Sequence, residues 1–306
     1  MNHHQTKISN STKNADAEFA PRFDQADSPA LLTSSLRPLS IGDTYAGATA
    51  FLLCSGPSIC SMDLNKLNKR GVLTCSVNNA GTLFRSNVWV CVDDPGNFSD
   101  IIWKDPAILK FLPFGRLTKK IRTRNQSGEL VETEFSAFQM PNTFGYRSNS
   151  EFSPENWLSE STINCGQTGR FADDLGIIGS RSVMLVAIKL LYYLGVRRVF
   201  LLGCDFRMKY GDQNYAFEQH RTRRSVRGNN RTYRALNARL QELKPYFDDV
   251  GFHVFNCTPN SGLAVFEYVD FEEAVALATS SMPASSITAG MYDKWHEESE
   301  SSENNG

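Results

Sequence analysis

Residues 182–205, SVMLVAIKLLYYLGVRRVFLLGCD, combine an apolar helix and an apolar strand around a short turn. The first part, Ser182–Leu194, has almost no polar face, which is typical of a helix buried against a sheet. Gly195 follows at the position where helices commonly end. The second part, Val199–Cys204, is a continuous apolar run that ends at Asp205, as in the central strands of parallel sheets. We therefore expect Asp205 at the carboxyl end of a central strand.

Other segments have the same strand-then-polar form. Apolar runs end in polar or turn residues at Thr49–Cys54 before Ser55-Gly56-Pro57-Ser58, at Val72–Val77 before Asn78-Asn79, at Asn87–Val92 before Asp93-Asp94, and at His253–Asn256 before Cys257-Thr258. Further helices are expected at Met62–Lys69, Thr232–Phe247 and Phe271–Ala278. Strands that alternate with helices predict an α/β fold with a doubly wound, mostly parallel sheet. Such sheets bind ligands at the carboxyl ends of their strands, so these polar ends form the candidate site.

Composition limits the classes of partner. The chain has 306 residues, with 32 basic and 33 acidic side chains and a net charge of −1. Broad nucleic-acid binding needs an excess of basic residues, so we expect no nucleic-acid partner. No apolar run reaches the ~20 residues of a membrane span, and the first thirty residues lack the apolar core of a signal peptide. The seven cysteines contain no CxxC pair, which favours reduced thiols in a cytoplasmic protein.

Composition also suggests where the folded domain begins and ends. Residues 1–40 are rich in Ser, Asn, Asp and Thr, and we expect a disordered polar arm there. Residues 280–306 have the composition of an acidic disordered tail. One α/β nucleotide-binding domain is expected over 41–279, with 110–170 and 206–231 as insertions or a lid.

The segment Gln219–Arg239 is unusually basic. It contains seven arginines and no acidic residue, and it follows the predicted strand that ends at Asp205. Such a run is either a solvated surface or a site for an anionic phosphate or carboxylate, for which Arg221, Arg224 and Arg227 are the candidates. His220 is the only histidine in this stretch, and on residue type it is a candidate general base.

Two strand ends have chemistry of their own. The turn at Gly56 leads into a predicted helix, so its free backbone N–H groups are expected to face a phosphate. The P-loop and GxGxxG patterns are absent, which disfavours an ordinary ATPase or a standard NAD enzyme. Asp93 and Asp94 are similar to the acidic pair that holds a metal in many glycosyltransferases, and the alternative is a capped turn before Pro95.

Four motifs together resemble a Rossmann-type superfamily. They are Ser55-Gly-Pro-Ser58, Val77-Asn-Asn79, Gly203-Cys-Asp-Phe206 and Asn256-Cys-Thr-Pro-Asn-Ser-Gly-Leu263. The superfamily contains flagellin motility accessory factors, archaeal hydroxymethylpterin diphosphokinases and bacterial sialyltransferases that use CMP-sialic acid. The resemblance covers roughly residues 48–278, and Tyr215-Ala-Phe217 and Pro259–Phe266 are among its most specific parts.

The resemblance implies a Rossmann-like, glycosyltransferase-like enzyme that transfers a sugar, of the sialic-acid-like kind, from a nucleotide-activated donor. It places at the nucleotide the residues Gly56, Pro57, Ser58, Asn78, Asn79, Ser180, Asn260 and Ser261. Tyr215 resembles the second of two tyrosines that steady the leaving phosphate. The first falls at Arg207, where a cation can serve the same phosphate, or at Tyr210 if a gap is allowed. The implied partners are a nucleotide-sugar donor and a glycan or small-molecule acceptor, and a homo-oligomer stays open.

The sequence departs from the family at the base. The family has a histidine shortly before the amphipathic helix, and the corresponding residue is Arg227, which cannot accept a proton. His220 is then the candidate base, with Asp205 as the second candidate or a structural cap. No cofactor is required, and magnesium is optional. The alternatives are magnesium-dependent diphosphate transfer, with Asp93, Asp94 and Asp205 as ligands, and a non-catalytic nucleotide- or glycan-binding accessory protein.

Overall fold

A computed structural model describes residues 31–33, 35, 37–147, 152–160, 182–217, 221–283, 288–289 and 291. The described strands are β1 (Leu31–Leu32), β2 (Thr49–Leu53), β3 (Leu73–Val77), β4 (Val88–Val90), β5 (Leu109–Pro113), β6 (Lys120–Arg124), β7 (Leu130–Ser136), β8 (Thr143–Tyr146), β9 (Arg198–Leu202) and β10 (His253–Asn256). The α-helices are α1 (Asp100–Lys104), α2 (Val183–Tyr193), α3 (Arg223–Asp249) and α4 (Phe271–Thr279). Short 3-10 helices connect several strands, at Pro57–Ser61, Leu64–Leu67, Asn78–Thr82, Pro95–Asn97, Phe114–Arg116 and Ala137–Gln139.

Eight strands form one sheet in the order β1-β8-β5-β4-β3-β2-β9-β10, and β6 and β7 form a separate hairpin. Every pair in the large sheet is parallel except β1 with β8. From β2 the chain adds β3, β4 and β5 on one side, and it later adds β9 and β10 on the other side. The order therefore reverses between β2 and β9, and the carboxyl ends of those two strands flank the reversal. The mixed α/β class with a large, mostly parallel sheet is confirmed.

The two faces of β2 contact different apolar clusters. Ala50 and Leu52 belong to the cluster that contains α2 and the apolar stripe of α3. Phe51 and Leu53 belong to the cluster that contains α4. Successive residues of a strand face opposite sides of a sheet, so β2 is covered on both sides. Burial on both faces explains why its sequence is a continuous apolar run rather than an alternating one.

The predicted boundaries hold at the central elements and differ elsewhere. The helix expected to begin at Thr232 begins nine residues earlier, because the Thr222 side chain accepts a hydrogen bond from the amide of Ser225 and caps the helix at Arg223. The helix expected at Met62–Lys69 is reduced to the 3-10 turn Leu64–Leu67. Asp63 caps this turn, and Asn68 already has non-helical backbone angles at its end.

The structure also contains strands that the apolar pattern did not predict. Most of the range 110–170 that was expected to be an insertion or lid is described, and it supplies the rest of β5, the hairpin β6–β7 and all of β8. Leu31–Leu32, within the expected N-terminal arm, pair with β8, and Leu31 is fully buried. These two residues are apolar in an otherwise polar segment, which accounts for the difference.

Two findings concern the chain as a whole. Among the described residues, no helix is both long enough and apolar enough to cross a lipid bilayer. Six cysteines lie in the described part of the chain, and all six are free thiols: Cys54, Cys60, Cys75, Cys91, Cys204 and Cys257. The cytoplasmic location stays a prediction.

Candidate active site

The loops after β2 and β9 are joined by a side-chain contact at the reversal of the strand order. Oγ of Ser58 donates a hydrogen bond to Oδ2 of Asp205 over 2.7 Å, and the Ser58 amide approaches the same oxygen at 3.4 Å. The Gly56 amide donates to the carbonyl of Gly203 over 2.9 Å. A Cβ atom on Gly56 would collide with the Asp205 carboxylate and would lie 2.5 Å from the carbonyl oxygen of Gly203. Gly56 is therefore required here by close packing between two strand ends.

The backbone donors of the Gly56 turn are used within the protein. The amides of Gly56 and Ser58 donate within the protein, and the Ile59 amide donates to the Gly56 carbonyl over 3.3 Å. Pro57 has no amide hydrogen. These three amides therefore have acceptors within the protein, and the turn helps to fix the position of Asp205. The role of Gly56, Pro57 and Ser58 at a nucleotide phosphate stays a prediction.

Tyr215 and Arg221 form a polar pair beside the same loop. The Ala216 amide donates to the Ser55 carbonyl over 2.9 Å, which attaches the Tyr215 segment to the end of β2. Nη2 of Arg221 donates to the Tyr215 hydroxyl over 2.9 Å, and its guanidinium carbon lies 5.0 Å from the ring centroid. Nε of Arg221 is buried and has no hydrogen-bond partner among the described residues. The pair therefore presents a half-buried cation whose buried Nε–H group is unused.

Tyr233 of α3 is a neighbouring site residue that the sequence did not single out. Its ring stacks on Phe206, with centroids 5.0 Å apart. Burial raises the pKa of Tyr233, and the charges of Tyr215, Cys204, Cys54 and Asp205 add to the rise. The hydroxyl is therefore protonated at neutral pH and can donate a hydrogen bond. A lone tyrosine within an arginine-rich helix gives no sequence signal for this position.

The loop after β10 is attached to the end of β9. The Cys204 amide donates to Oγ1 of Thr258 over 2.8 Å, and Oγ of Ser261 donates to the Cys204 carbonyl. Asn260 and Ser261, both predicted at the nucleotide, line an open cavity of about 440 Å³ with Thr258. The Ser261 hydroxyl is used to hold the loop, whereas Asn260 is exposed.

Three strand ends contain a non-glycine residue with left-handed backbone angles. They are Asn78 after β3, Phe206 after β9 and Asn260 after β10, with φ of 50°, 53° and 52°. Asparagine tolerates this region, but phenylalanine rarely occupies it. Backbone strain of this kind persists where the surroundings fix the loop, and it is common at ligand sites.

Asn78 has one further feature that fits a binding role. Its Oδ1 is buried and has no hydrogen-bond partner among the described residues, while its carbonyl accepts from Nε1 of Trp89 over 2.7 Å. The carbonyl of Asn79 accepts from the Thr82 hydroxyl over 2.8 Å. The side-chain oxygen of Asn78 is therefore an unused acceptor at the carboxyl end of β3, the strand next to β2.

The predicted anion residues differ in their environments. Arg221 is half-buried beside Tyr215, whereas Arg224 and Arg227 are exposed on the first turns of α3. Arg207 is exposed and lines a separate cavity of about 340 Å³ together with Phe206, Tyr233 and Arg234. An anion role for Arg224 and Arg227 stays a prediction.

The acidic pair after β4 forms a capped turn. Oδ1 of Asp94 accepts from the Gly96 amide over 2.9 Å, and Oδ2 lies 3.9 Å from Nη1 of Arg116. Among the described residues, no group of three or more His, Cys, Asp or Glu side chains is arranged to hold a metal ion. The metal role of Asp93 and Asp94 stays a prediction.

Two predicted residues, Ser180 and His220, lie outside the described residues. Ser182, which follows Ser180 closely, caps α2 by accepting from the Leu185 amide over 3.3 Å. Arg227, which the sequence resemblance aligns with a histidine of the sialyltransferases, lies within α3. The assignment of His220 as the base therefore stays a prediction.

Comparisons with known proteins give a distant structural match. No protein-family model matches the chain, and no curated protein sequence is significantly similar to it. The structure is similar to that of the MAf glycosyltransferase from Magnetospirillum magneticum AMB-1, with a TM-score of 0.41 and 11% sequence identity. The match covers 74% of this chain and 34% of that chain, so this chain spans about a third of that protein's length. A similarity at this level assigns no activity.

Proposed function

We propose that this chain is a glycosyltransferase-like enzyme that transfers a sugar from a nucleotide-activated donor. The nucleotide would bind at the carboxyl ends of β3, β2, β9 and β10, where a doubly wound sheet binds its ligand. The resemblance of the strand-end motifs to CMP-sialic acid sialyltransferases supports this reaction and makes a cytidine nucleotide the first donor to test.

The observation that carries the proposal is the Arg221–Tyr215 pair. A buried guanidinium N–H without an acceptor loses the hydrogen bond that water would supply, and an anionic oxygen bound there would restore it. The Tyr215 hydroxyl accepts from Arg221 and keeps its own proton to donate to the same anion. A cationic N–H donor next to a hydroxyl donor fits the phosphate of a nucleotide better than a neutral ligand.

Each group has a distinct task in the proposed reaction. The acceptor hydroxyl attacks the anomeric carbon of the donor sugar, the bond from that carbon to the phosphate oxygen breaks, and the nucleotide leaves with the bonding electrons. Arg221 and Tyr215 stabilise the negative charge that develops on the phosphate. His220 takes the proton of the acceptor hydroxyl. Asp205 is the weaker candidate for that proton, because its Oδ2 already accepts from Ser58.

The proposal is tested with a thermal-shift panel of CMP, CDP, UDP, GDP and ATP, each with magnesium and with EDTA. A ligand that binds only the folded state raises the midpoint of unfolding, by an amount that increases with its concentration over its Kd. Stabilisation by a cytidine nucleotide in EDTA supports the proposal. The absence of a shift with all five nucleotides contradicts it.

The same panel separates the alternative functions. A shift by ATP that requires magnesium indicates diphosphate transfer. Nucleotide binding without turnover of any donor, in the wild type and in His220→Ala alike, indicates an accessory binding protein. The position of Arg227 favours this last alternative over diphosphate transfer, because a family member that lacks the usual base keeps the nucleotide site but loses the proton acceptor.

A further inference from the structure

A second cavity lies next to Asp205 of the candidate active site. Phe206 and Arg207 directly follow Asp205, and they line a cavity of about 340 Å³ with Tyr233, Arg234 and Asn237 of α3 and with Gly262. This volume is at the small end of the ~300–1,000 Å³ found for ligand pockets. It suits one monosaccharide unit rather than a chain of several.

The walls of this cavity are held by specific contacts. Asn230 makes two hydrogen bonds to Met208, since Oδ1 accepts from the Met208 amide and Nδ2 donates to the Met208 carbonyl, each over 2.8 Å. The Gly262 amide donates to the Asp205 carbonyl over 2.8 Å. A Cβ atom on Gly262 would lie 2.5 Å from the Phe206 carbonyl oxygen, so only glycine permits this approach. The cavity is therefore preformed rather than a gap between mobile loops.

The charged side chains that line the cavity are all positive. Arg207 and Arg234 are exposed there, and the lining contains no acidic residue. Asn230, Arg234 and Asn237 follow a spacing of four and three residues, which places them on one face of α3. Oδ1 of Asn237 is buried and has no hydrogen-bond partner among the described residues. A ligand that suits these groups combines an anionic oxygen for the arginines with a hydroxyl for Asn237.

The aromatic side chains complete this description. The stacked rings of Phe206 and Tyr233 form an apolar wall beside the two arginines. Sugar rings have an apolar C–H face as well as hydroxyl groups, so an aromatic wall and a buried amide suit a sugar better than a free inorganic anion. A flat apolar surface, one unused acceptor and two cations together suit an acidic sugar.

We propose that this cavity is the acceptor subsite and binds a sugar that has a carboxylate or phosphate group. Its anionic group lies between Arg207 and Arg234, one ring hydroxyl donates to Asn237, and the C–H face packs on Phe206 and Tyr233. The identification of the occupant as an acceptor rests on the proposed function, because the cavity adjoins the loop of Asp205. The binding of an acidic sugar in this cavity does not depend on the proposed function.

The test is isothermal titration calorimetry of the full chain without nucleotide. The probes are glucuronate, glucose 6-phosphate, glucose and inorganic phosphate. We expect glucuronate or glucose 6-phosphate to bind at least about tenfold more tightly than glucose and than inorganic phosphate. The two acidic probes distinguish a carboxylate from a phosphate as the recognised group.

Variants assign any binding to the cavity. Arg234→Gln and Arg207→Gln are expected to weaken the acidic probe about tenfold or more, because each removes one of two charged donors. Arg231→Gln is the matched control, since Arg231 is an exposed arginine of α3 outside the cavity lining. Each variant is compared with the wild type for its unfolding midpoint, so that a loss of binding is separated from a loss of folding.

Several outcomes overturn the inference. They are equal affinity for glucose and the acidic sugars, tighter binding of inorganic phosphate, no binding of either acidic sugar, or the same loss in Arg231→Gln as in Arg234→Gln. If one of these outcomes is found and nucleotides still bind, the proposed function is retained and the acidic-sugar subsite is rejected. If an acidic sugar binds and no nucleotide does, the subsite is retained and the proposed function is contradicted.

Discussion

The Ser58 hydroxyl donates to Oδ2 of Asp205 over 2.7 Å, and this bond joins residues 147 positions apart in the sequence. It connects the loops after β2 and β9, where the order of strands in the sheet reverses. The Asp205 side chain is thereby fixed toward the β2 loop, while its carbonyl accepts from the Gly262 amide. One residue thus connects three of the loops that would surround a nucleotide.

Gly56→Ala is expected to lower the free energy of unfolding by ~1–3 kcal/mol, because the added methyl group meets the Asp205 carboxylate and the Gly203 carbonyl. Urea unfolding followed by circular dichroism measures the change. Gly228→Ala is the matched control, since Gly228 lies inside α3 with no atom near its added Cβ. The control should be stabilised by ~0.5–1 kcal/mol. Equal stability of Gly56→Ala and the wild type would contradict the close packing.

Ser58→Ala is expected to cost ~1–3 kcal/mol of unfolding free energy, because it leaves a partly buried carboxylate without a hydroxyl donor. Ser61→Ala is its control. The Ser61 hydroxyl donates to the Ser58 carbonyl at an exposed position, where water replaces the lost bond. If Ser61→Ala lowers the free energy of unfolding as much as Ser58→Ala does, the Ser58–Asp205 hydrogen bond contributes no more to stability than an exposed one.

Lys189 predicts a pH dependence of stability. Its side chain is fully buried, and Nζ lies 5.1 Å from the ring centroid of Trp157 with no hydrogen-bond partner among the described residues. Burial lowers the pKa of Lys189 to about 7, and the charge of Glu160 opposes the shift. Between that pKa and the unfolded value of about 10.4, the unfolded chain holds a proton that the folded chain lacks. Stability should therefore rise with pH over this window.

Lys189→Met removes this contribution. The slope of unfolding free energy against pH should fall by up to about 1.4 kcal/mol per unit between pH 7 and 10, and the variant should be more stable than the wild type at pH 6. Urea unfolding at a series of pH values measures the slope. Lys209→Met, with a lysine side chain that is 81% exposed, should keep the wild-type slope. An unchanged slope in Lys189→Met would refute the assignment.

Lys110 is a second buried lysine, and we expect its replacement by methionine to destabilise the protein. Its Nζ donates to the carbonyls of Asp105, Ile108 and Pro141, over 2.7, 3.1 and 2.7 Å. Lys110→Met leaves all three acceptors without that donor, so we expect a loss of about 3 kcal/mol or more. Lys104→Met removes only an exposed ion pair and should cost ~0.5 kcal/mol. A Lys110→Met protein as stable as Lys104→Met would contradict this role.

The central strands could be predicted because each is a short apolar run with polar residues at its end. The strands β2, β3, β9 and β10 and the helix α2 lie within one or two residues of their predicted bounds. The hairpin β6–β7 could not be predicted in this way. In β6 and β7, basic, acidic and apolar side chains are mixed on exposed surfaces, so no apolar run marks the strands.

The sequence predicted which strand ends form the candidate site, but it did not predict the contacts between their side chains. The motif at Gly56 indicated a tight turn, but only the packing on Asp205 shows that its amides are already used. The arginine-rich segment indicated an anion, yet the sequence alone treats its arginines alike. In the folded chain Arg221 is half-buried against Tyr215, whereas Arg224 and Arg227 are exposed.

The central claim is that Arg221 binds the phosphate of a nucleotide. It is tested by calorimetric titration of the wild type, Arg221→Gln and Arg231→Gln with the nucleotide that gives the largest thermal shift among CMP, CDP, UDP, GDP and ATP. We predict that Arg221→Gln binds at least about tenfold more weakly than the wild type, while Arg231→Gln is unchanged. Equal affinity of Arg221→Gln and the wild type, or no binding of any of the five nucleotides to the wild type, would contradict the claim.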